Sequence, residues 1–248
     1  MIEIWRTRVG STDESQQAYD EIYDHQGIQL PDSFYTWVLD LLRPHPGRQL
    51  LDVSCGQGAL VRLARQRSIA AYGLDLSSAA IYRARAATGS DCFVTGDGSR
   101  LPFADKTFDY ATCIGSLEHF VDPLAGMSEI ARTLRTGGAA CILVPNSFSL
   151  FGTVEYARKY GEIFDDGQPI QRYNTRMGWT RMLEQSGLSV HHVDKFEITK
   201  PRTRTDWAWY LRRPGKLAHL LAALMIPLNL ANSHTFICTK AQSCKALS

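Results

Sequence analysis

LLDVSCGQGAL, residues 50–60, joins an apolar run to an aspartate and a glycine-rich turn. The run over 49–54 predicts a short buried strand, and the next residues, 58–68, have the apolar spacing of a helix that packs on one face. Asp52 therefore falls near the carboxyl end of a strand, beside the turn Gly56-Gln57-Gly58. A strand, a glycine turn and a helix in this order predict a ligand site at the turn.

Strands and helices continue to alternate on both sides of this stretch. Beyond 49–54, apolar runs predict six further strands, at 70–77, 92–97, 108–116, 139–146, 189–198 and 234–240. Alternation at this rhythm favours right-handed βαβ crossovers and a largely parallel sheet with helices on both faces. The sequence therefore predicts an α/β, doubly wound fold, in which ligands bind beyond the carboxyl ends of the strands.

Composition disfavours nucleic-acid-binding, secreted and membrane-spanning proteins. The chain has 248 residues and a formal net charge of +2, which suit one globular domain and give no sign of a nucleic-acid partner. Six scattered cysteines without a CxxC pair fit a reducing compartment, and the N-terminus has no secretory pattern. The most apolar segment, 217–228, is too short to cross a membrane. We expect a cytoplasmic protein.

Three acids stand at consecutive strand ends: Asp52, Asp75 and Asp97. A carboxylate at the place of Asp52 would repel a pyrophosphate, whereas it favours the sulfonium and ammonium cations of S-adenosylmethionine. Asp75 is placed to accept hydrogen bonds from ribose hydroxyls, and Asp97 from an adenine amine, with Gly98 and Ser99 offering amides. The alternative is that each acid only caps the following helix.

At these motifs the sequence resembles the class I S-adenosylmethionine-dependent methyltransferases, in the group that includes quinone-biosynthesis and small-molecule enzymes. The resemblance rests on the following segments: LLDVSCGQG (50–58), YGLDLS (72–77), GDGSRLPFADKTFDYATCIGSLEHFVDP (96–123) and LRTGGAACILVPN (134–146). The segments match the family in order and spacing over 49–146, and the match is weaker over 174–240. It implies a Rossmann-like seven-stranded sheet whose last strand is antiparallel, and S-adenosylhomocysteine as product. It also implies these cofactor contacts: Asp52, Gly56, Gly58, Asp75, Leu76, Asp97, Gly98, Ser99 and Gly115.

GSLEHF, residues 115–120, follows the fourth strand of the predicted sheet. His119 is a candidate general base for a hydroxyl acceptor, and the alternative is a histidine that only lines the pocket. Some relatives bind a divalent cation through E-x-x-E-H at this place. Here the first glutamate is replaced by Gly115, and Glu118 with one imidazole makes a poor site for a hard cation, so we predict no metal.

The remaining segments predict an acceptor site. We expect an N-terminal helical cap over 14–43, a cofactor-binding core over 49–146, lid insertions over 147–174 and 199–233, and a C-terminal hairpin over 189–240. The cap and both insertions are rich in aromatic residues, which are common in ligand pockets. The candidate acceptor residues are Tyr19, Tyr23, Arg172 and Tyr173, the last two for an anionic or hydroxylated acceptor.

The second insertion supports two interpretations. Residues 200–228 join a basic, tryptophan-bearing stretch to an apolar helix, which suits peripheral contact with an anionic membrane or a lipid-linked acceptor. The alternative, which the sequence favours, is an ordinary lid whose stripe of Leu217, Leu220, Leu221 and Leu224 faces the core.

The expected function is methyl transfer from S-adenosylmethionine to an oxygen, nitrogen or carbon of a small or lipid-like acceptor. A non-catalytic protein that keeps the cofactor pocket is the alternative from a different class. An NAD-dependent oxidoreductase is a weaker one, because Val61 stands where the dinucleotide motif needs a small residue.

Overall fold

The computed structural model describes residues 1–6, 11–25 and 27–241. Within that part of the chain, a seven-stranded sheet has the order β4-β3-β2-β5-β6-β9-β8. Neighbouring strands are parallel except that β9 runs antiparallel to β6 and β8, so the predicted doubly wound sheet with an antiparallel last strand is confirmed. The strands are β1 (Ile2–Trp5), β2 (Gln49–Val53), β3 (Ala70–Asp75), β4 (Phe93–Thr95), β5 (Phe108–Ile114), β6 (Leu134–Pro145), β7 (Ile170–Tyr173), β8 (Leu188–Phe196) and β9 (Ser233–Lys240).

Helices cover both faces of the sheet, as expected for βαβ crossovers. One apolar cluster includes Phe34, Val61 and Ile81, and the other includes Met127 and Trp179, all of them buried. The α-helices are α1 (Thr12–His25), α2 (Asp32–Leu42), α3 (Ala59–Gln66), α4 (Ser78–Thr88), α5 (Pro123–Thr133), α6 (Glu155–Tyr160), α7 (Arg176–Gln185), α8 (Arg204–Leu211) and α9 (Pro214–Met225).

Two helices, α1 and α2, precede the strands of the main sheet, and α1 is bonded to the loops that follow β3 and β4. Asp20 accepts hydrogen bonds from the hydroxyl of Ser77 (2.6 Å) and the backbone amide of Ala79 (3.1 Å) at the start of α4. The hydroxyl of Thr12 donates to Asp97 (3.2 Å). These bonds hold α1 over the carboxyl ends of β3 and β4.

A second, two-stranded sheet is absent from the sequence-based prediction. It pairs β1 with β7 in antiparallel register, from Ile2 with Tyr173 to Trp5 with Ile170. Four residues at one end of the chain give little periodic signal, and their partner lies about 170 residues away, so local patterns do not indicate the pair. The small sheet holds residues 170–173, the end of the first insertion, beside the main sheet.

The second insertion differs from the interpretation that the sequence favours. No residue of α9 is buried, and Leu221 and Leu224 are 62% and 68% exposed. The predicted core-facing stripe therefore holds only in part: Leu217 and Leu220 are half-buried, whereas Leu221 and Leu224 are in contact with solvent. Trp207, Trp209 and Leu211 of α8 are exposed as well. No described helix combines the length and apolarity needed to span a membrane.

Candidate active site

A cavity of about 220 Å³ lies at the carboxyl ends of the central strands, where the fold predicts ligand binding. It is walled by the ends of β2, β3 and β5, the loop after β4, and α1. Of the predicted cofactor residues, the following line it: Asp52, Gly56, Asp75, Leu76, Asp97, Gly98, Ser99 and Gly115. The structure thus brings these separate motifs together in one cavity.

Asp52 lies at the inner end of this cavity and is 4% exposed. Its Oδ1 accepts a hydrogen bond from the hydroxyl of Thr112 on the neighbouring strand (2.6 Å). Burial raises the pKa of the Asp52 carboxyl to about 7, although the bond from Thr112 opposes this rise. A nearby cation would stabilise the ionised form, which makes the site electrostatically suited to a positively charged ligand.

Asp75 connects the glycine turn to the start of α4. Its carboxylate accepts hydrogen bonds from the backbone amides of Gly56 (2.7 Å) and Ser77 (2.9 Å). Burial raises its pKa to about 6. Each carboxylate oxygen can accept more than one hydrogen bond, so Asp75 can fix the turn and still accept from a ligand hydroxyl.

Two glycines of the cavity wall allow an aromatic side chain to lie close to the backbone. A side chain at Gly56 would be 2.8 Å from the hydroxyl of Tyr23, and one at Gly98 would be 2.5 Å from the ring of Phe120. Gly58 does not line the cavity, and its predicted contact with the cofactor stays a prediction. It has φ +75°, and a Cβ there would meet the ring of Phe93 at 2.6 Å, so this glycine is needed for the turn and for packing.

Asp97 and the next two residues form the part of the cavity that follows β4. Asp97 accepts from the backbone amide of Ser99 (2.7 Å) as well as from Thr12. The carboxylate is thereby fixed in a turn, and each of its oxygens can still accept a further hydrogen bond.

His119 lies in a single turn of 3-10 helix, Leu117–His119, that follows β5. Its Nδ1 is 2.6 Å from the carbonyl oxygen of Ile170 in β7. Since a carbonyl only accepts, Nδ1 carries the proton and Nε2 of the neutral ring is a proton acceptor. Nε2 is 3.8 Å from Oε1 of Glu118 and 3.8 Å from Oδ2 of Asp166. Burial lowers the pKa of His119, so the ring is neutral at physiological pH.

A second cavity, of about 480 Å³, lies on the side of this turn that Glu118 faces. Residues 149–173, within the predicted first insertion, provide most of its wall. Its aromatic and apolar lining is Phe151, Tyr156, Tyr160, Phe164 and Tyr173. His119 lines the first cavity and Glu118 lines the second, so these adjacent residues separate the two spaces.

The four predicted acceptor residues are distributed unequally. Tyr19 and Tyr23 line the first cavity, among the cofactor candidates, and Tyr173 lines the second. Arg172 lines neither. Its guanidinium is 3% exposed and bonds to Glu3 (2.7 Å) and to the backbone carbonyls of residues 118, 120 and 121. The prediction that Arg172 meets an anionic acceptor is therefore wrong, because its guanidinium already bonds to β1 and to the His119 turn.

The sequence did not indicate the polar residues of segment 166–171. Asp166 faces His119, Gln168 lines the first cavity and accepts from the hydroxyl of Tyr19 (3.1 Å), and Gln171 lines the second. They follow no motif, and long-range contacts of β7 with β1 and with the His119 turn hold this segment at the site. Among the described residues, no three His, Cys, Asp or Glu side chains converge as metal ligands. The absence of a metal stays a prediction.

Comparison with known proteins gives a family for the core. Residues 51–142 match the family profile described as "Methyltransferase domain". The chain is 38% identical over 112 residues to an O-methyltransferase of Pyrenophora dematioidea, covering 42% of each protein. It is 29% identical over 152 residues to a demethylmenaquinone methyltransferase of Beutenbergia cavernae, covering 61% of this chain and 62% of that protein. The chain thus spans about half the length of these curated relatives.

A solved structure shows that the likeness in fold extends beyond the core. The [4+2]-cyclase SpnF superposes with a TM-score of 0.66 at 20% identity, covering 94% of this chain and 97% of that one. At this identity the comparison concerns the fold alone. The Rossmann-like architecture is therefore confirmed over nearly the whole chain.

Proposed function

We propose that this chain transfers a methyl group from S-adenosylmethionine to a small-molecule acceptor, since residues 51–142 belong to the class I S-adenosylmethionine-dependent methyltransferases. The observation that carries the proposal is the convergence of Asp52, Asp75 and Asp97 on one cavity beside the Gly56 turn. Three carboxylates, with no lysine or arginine among the described residues of the lining, suit a ligand with an adenosine half and no phosphate.

Each part of the cofactor has a matching group in the first cavity. Asp75 accepts from the ribose hydroxyls, and Asp97 with Ser99 contacts the adenine edge. Leu76 offers an apolar surface to the adenine. Asp52 and the Gly56 turn lie where the positively charged amino-acid part would bind, with Gly115 beside them.

The cofactor supplies a methyl group on a positively charged sulfur. His119 supports the reaction at a hydroxyl acceptor, because Nδ1 is held by the carbonyl of Ile170 and Nε2 is free to take the hydroxyl proton. Asp166, whose Oδ2 is 3.8 Å from Nε2, lies where it favours the protonated ring that results. The Phe120 ring and α1 reduce the access of water to the first cavity.

Non-catalytic binding of the cofactor is the second candidate function. It stays open because the fold by itself does not determine which function a cofactor pocket serves. NAD as cofactor is disfavoured by the carboxylates, which would repel its pyrophosphate.

Formation of S-adenosylhomocysteine distinguishes these candidates. The purified chain is incubated with S-adenosylmethionine and a panel of hydroxylated, amine-bearing and carbon acceptors, and the product is quantified. We expect acceptor-dependent product that is lost in His119→Ala and kept in His192→Ala, a control histidine on the exposed part of β8. Tight cofactor binding with no product from any acceptor would favour the non-catalytic function.

We propose further that segment 200–228 contacts an anionic membrane. Residues 200–216 contain six basic residues and one acidic residue, although the whole chain has a net charge of only +2. Beside this charge, the structure exposes these apolar residues: Trp207, Trp209, Leu211, Leu221, Leu224 and Met225. Exposed tryptophans and leucines next to basic residues are typical of interfacial segments, and each cation near an anionic surface contributes about 1 kcal/mol.

Co-sedimentation with vesicles tests this contact. We expect binding to phosphatidylglycerol vesicles that weakens with salt, and little binding to pure phosphatidylcholine. The double variant Leu221→Glu, Leu224→Glu should lose binding, whereas Tyr82→Glu, at a residue of α4 that is 76% exposed, should keep it. Absence of binding to the anionic vesicles would contradict the proposal.

A further inference from the structure

Arg172 is a buried arginine whose guanidinium binds the turn that carries His119. Its side chain is 3% exposed, and its terminal nitrogens donate to the backbone carbonyls of Glu118, Phe120 and Val121. A guanidinium is planar and directs five N–H donors in fixed directions, so one side chain can hold several carbonyls at once. Because these carbonyls lie on both sides of His119 in the chain, Arg172 fixes the backbone around the histidine.

Strand β7 holds the ring of His119 as well as its backbone. The carbonyl oxygen of Ile170, two residues before Arg172 in this strand, is 2.6 Å from Nδ1 of His119. One strand thus sets the position of the turn and the tautomer of the ring. A displacement of the turn relative to β7 would disturb the Nδ1 bond and move Nε2, the nitrogen that is free to accept a proton.

Glu3 of β1 holds the guanidinium from the other side. The register of the small sheet places Glu3 directly opposite Arg172, and Oε1 of Glu3 accepts from Nε of Arg172 (2.7 Å). The bond from Arg172 lowers the pKa of Glu3, so the carboxylate is ionised and neutralises the buried cation. The ring of Trp5, in the same strand, has its centroid 5.4 Å from the guanidinium carbon. Strand β1 therefore supplies both a counter-ion and an aromatic contact to Arg172.

The place of this ion pair favours a positioning role over ligand binding or stability. Neither Arg172 nor Glu3 lines one of the two cavities, so contact with a ligand does not explain the pair. A buried charge loses its hydration, which largely offsets the attraction to its partner, so such a pair is weak evidence for stability. What the bonds fix is the turn over 118–121, which provides His119 and two further residues of the first cavity wall.

The charge of Arg172 acts on His119 as well. The ionisable groups around the ring are Glu118, Asp166 and Arg172. Burial lowers the pKa of His119, Asp166 opposes this change, and the Arg172 cation lowers the pKa further. The arginine thus favours the neutral ring, which is the form that accepts a proton. Arg172→Lys keeps this charge and removes the planar fork, so it separates the charge of Arg172 from its hydrogen-bond geometry.

We infer that Arg172 and Glu3 form a positioning pair for His119, in which the guanidinium holds the 118–121 turn and Glu3 holds the guanidinium. As a structural pair it stands on these contacts alone, and as part of the reaction it rests on the proposed function. Strand β1, about 115 residues before the histidine in the sequence, is then needed for His119 to keep its tautomer and its place in the cavity wall.

Nitrogen NMR of the full chain with isotope-labelled histidines tests the inference, because it measures the tautomer of His119 directly. The signals of His119 are identified by their loss in His119→Gln. In the wild type we expect the proton of the neutral ring on Nδ1. In Arg172→Lys the preference for this tautomer should fall about fivefold or more, since one ammonium cannot span three carbonyls and the Nδ1 bond loosens. Glu3→Ala should reduce the preference in the same direction, and Glu3→Gln, which keeps an acceptor, should reduce it less.

Arg132→Lys is the matched control. Arg132 also bonds to a carboxylate, of Glu129 (2.7 Å), and to two backbone carbonyls, of Leu101 (3.1 Å) and Phe103 (2.8 Å). These carbonyls lie between β4 and β5 and not in the His119 turn. The variant therefore loses a comparable set of bonds elsewhere, and we expect the His119 tautomer of the wild type.

The outcomes separate this inference from the proposed function. An unchanged tautomer preference in Arg172→Lys or in Glu3→Ala would overturn the positioning pair, and so would an equal fall in Arg132→Lys. If Arg172→Lys shows no cooperative thermal unfolding, Glu3→Ala decides alone. Methyl transfer should slow in the order of the tautomer changes, with affinity for S-adenosylhomocysteine kept. A changed tautomer with an unchanged rate would support the pair and contradict His119 as the base, and failure of S-adenosylhomocysteine to bind the wild type would contradict the proposed function only.

Discussion

The two cavities on either side of the His119 turn are built in different ways. In the first, Asp52, Asp75 and Asp97 stand at successive strand ends, and each already accepts a hydrogen bond from the protein. In the second, the wall comes mostly from the first insertion, and two buried side-chain oxygens have no partner in the described part of the chain. A preformed site of strand-end motifs suits a ligand common to a family, whereas an insertion with unpaired polar atoms suits a ligand particular to this chain.

Replacing His119 tests the connection between the cavities and should have the largest effect. His119→Ala should slow transfer to a hydroxyl acceptor by about 10²-fold or more, because the proton loses its acceptor. Affinity for S-adenosylhomocysteine should change little. Since burial lowers the pKa of His119, the rise of the wild-type rate with pH should have its midpoint below the ordinary histidine value of 6.5. A rate unaltered in His119→Ala would show that the histidine only lines the pocket.

Replacing Asp75 tests the first cavity alone. Asp75→Ala removes the acceptor for the ribose hydroxyls and should weaken cofactor binding by roughly 1.5–3 kcal/mol, measured by calorimetry. Asp109→Ala is the matched control. That aspartate also accepts from a backbone amide, of Gln49 (2.9 Å), but at the opposite ends of the strands. Equal losses in both variants would mean that the effect is structural and not specific to the ligand.

Glu118→Gln tests whether the Glu118 carboxyl is buried with a raised pKa, and the measured quantity is the pH dependence of stability. The folded pKa, about 8, lies above the ordinary value of 4.5, so folding favours the protonated form. The contribution of this carboxyl to stability is therefore full below about pH 4.5 and is lost as the pH rises through 8. Between these pH values the free energy of unfolding of Glu118→Gln should rise relative to that of wild type, by an amount on the order of a few kcal/mol. Thermal unfolding of both proteins over this pH range measures the difference. A pH-independent difference would contradict the burial of an ionisable carboxyl.

The smallest expected effect concerns Asp52 and is the release of a fraction of a proton when the cofactor binds. Its pKa of about 7 should fall when a cation binds beside it, so S-adenosylmethionine binding near neutral pH should release protons. Calorimetry in buffers with different ionisation enthalpies measures this release. It should be smaller for S-adenosylhomocysteine, which lacks the sulfonium, and should disappear in Asp52→Asn. The same release in Asp52→Asn would assign the proton to another group.

The fold could be predicted from the sequence, and so could the set of residues that meet in the first cavity, because both depend on local signals. Each strand of the main sheet is a short apolar run, and the acids and glycines follow these runs directly, so the parallel sheet brings them to one edge. Gly58 is the exception. Its position in the motif suggested ligand contact, whereas its surroundings show that it makes room for Phe93.

The second cavity could not be predicted in the same way. Arg172 and Gln171 are neighbours in β7, where alternation directs one toward the His119 turn and the other into the cavity, but the strand itself forms through its long-range pairing with β1. The apolar stripe of α9 was assigned to the core because helical periodicity identifies one face of a helix. It does not reveal whether another part of the chain covers that face.

Parallel calorimetric titration of the purified chain with S-adenosylmethionine, S-adenosylhomocysteine and NAD tests the central claim most directly. We predict one-to-one binding of the first two ligands with micromolar affinity and no heat of binding from NAD. Binding of NAD alone would contradict the assignment of the strand-end carboxylates to S-adenosylmethionine, and the proposed methyl transfer with it.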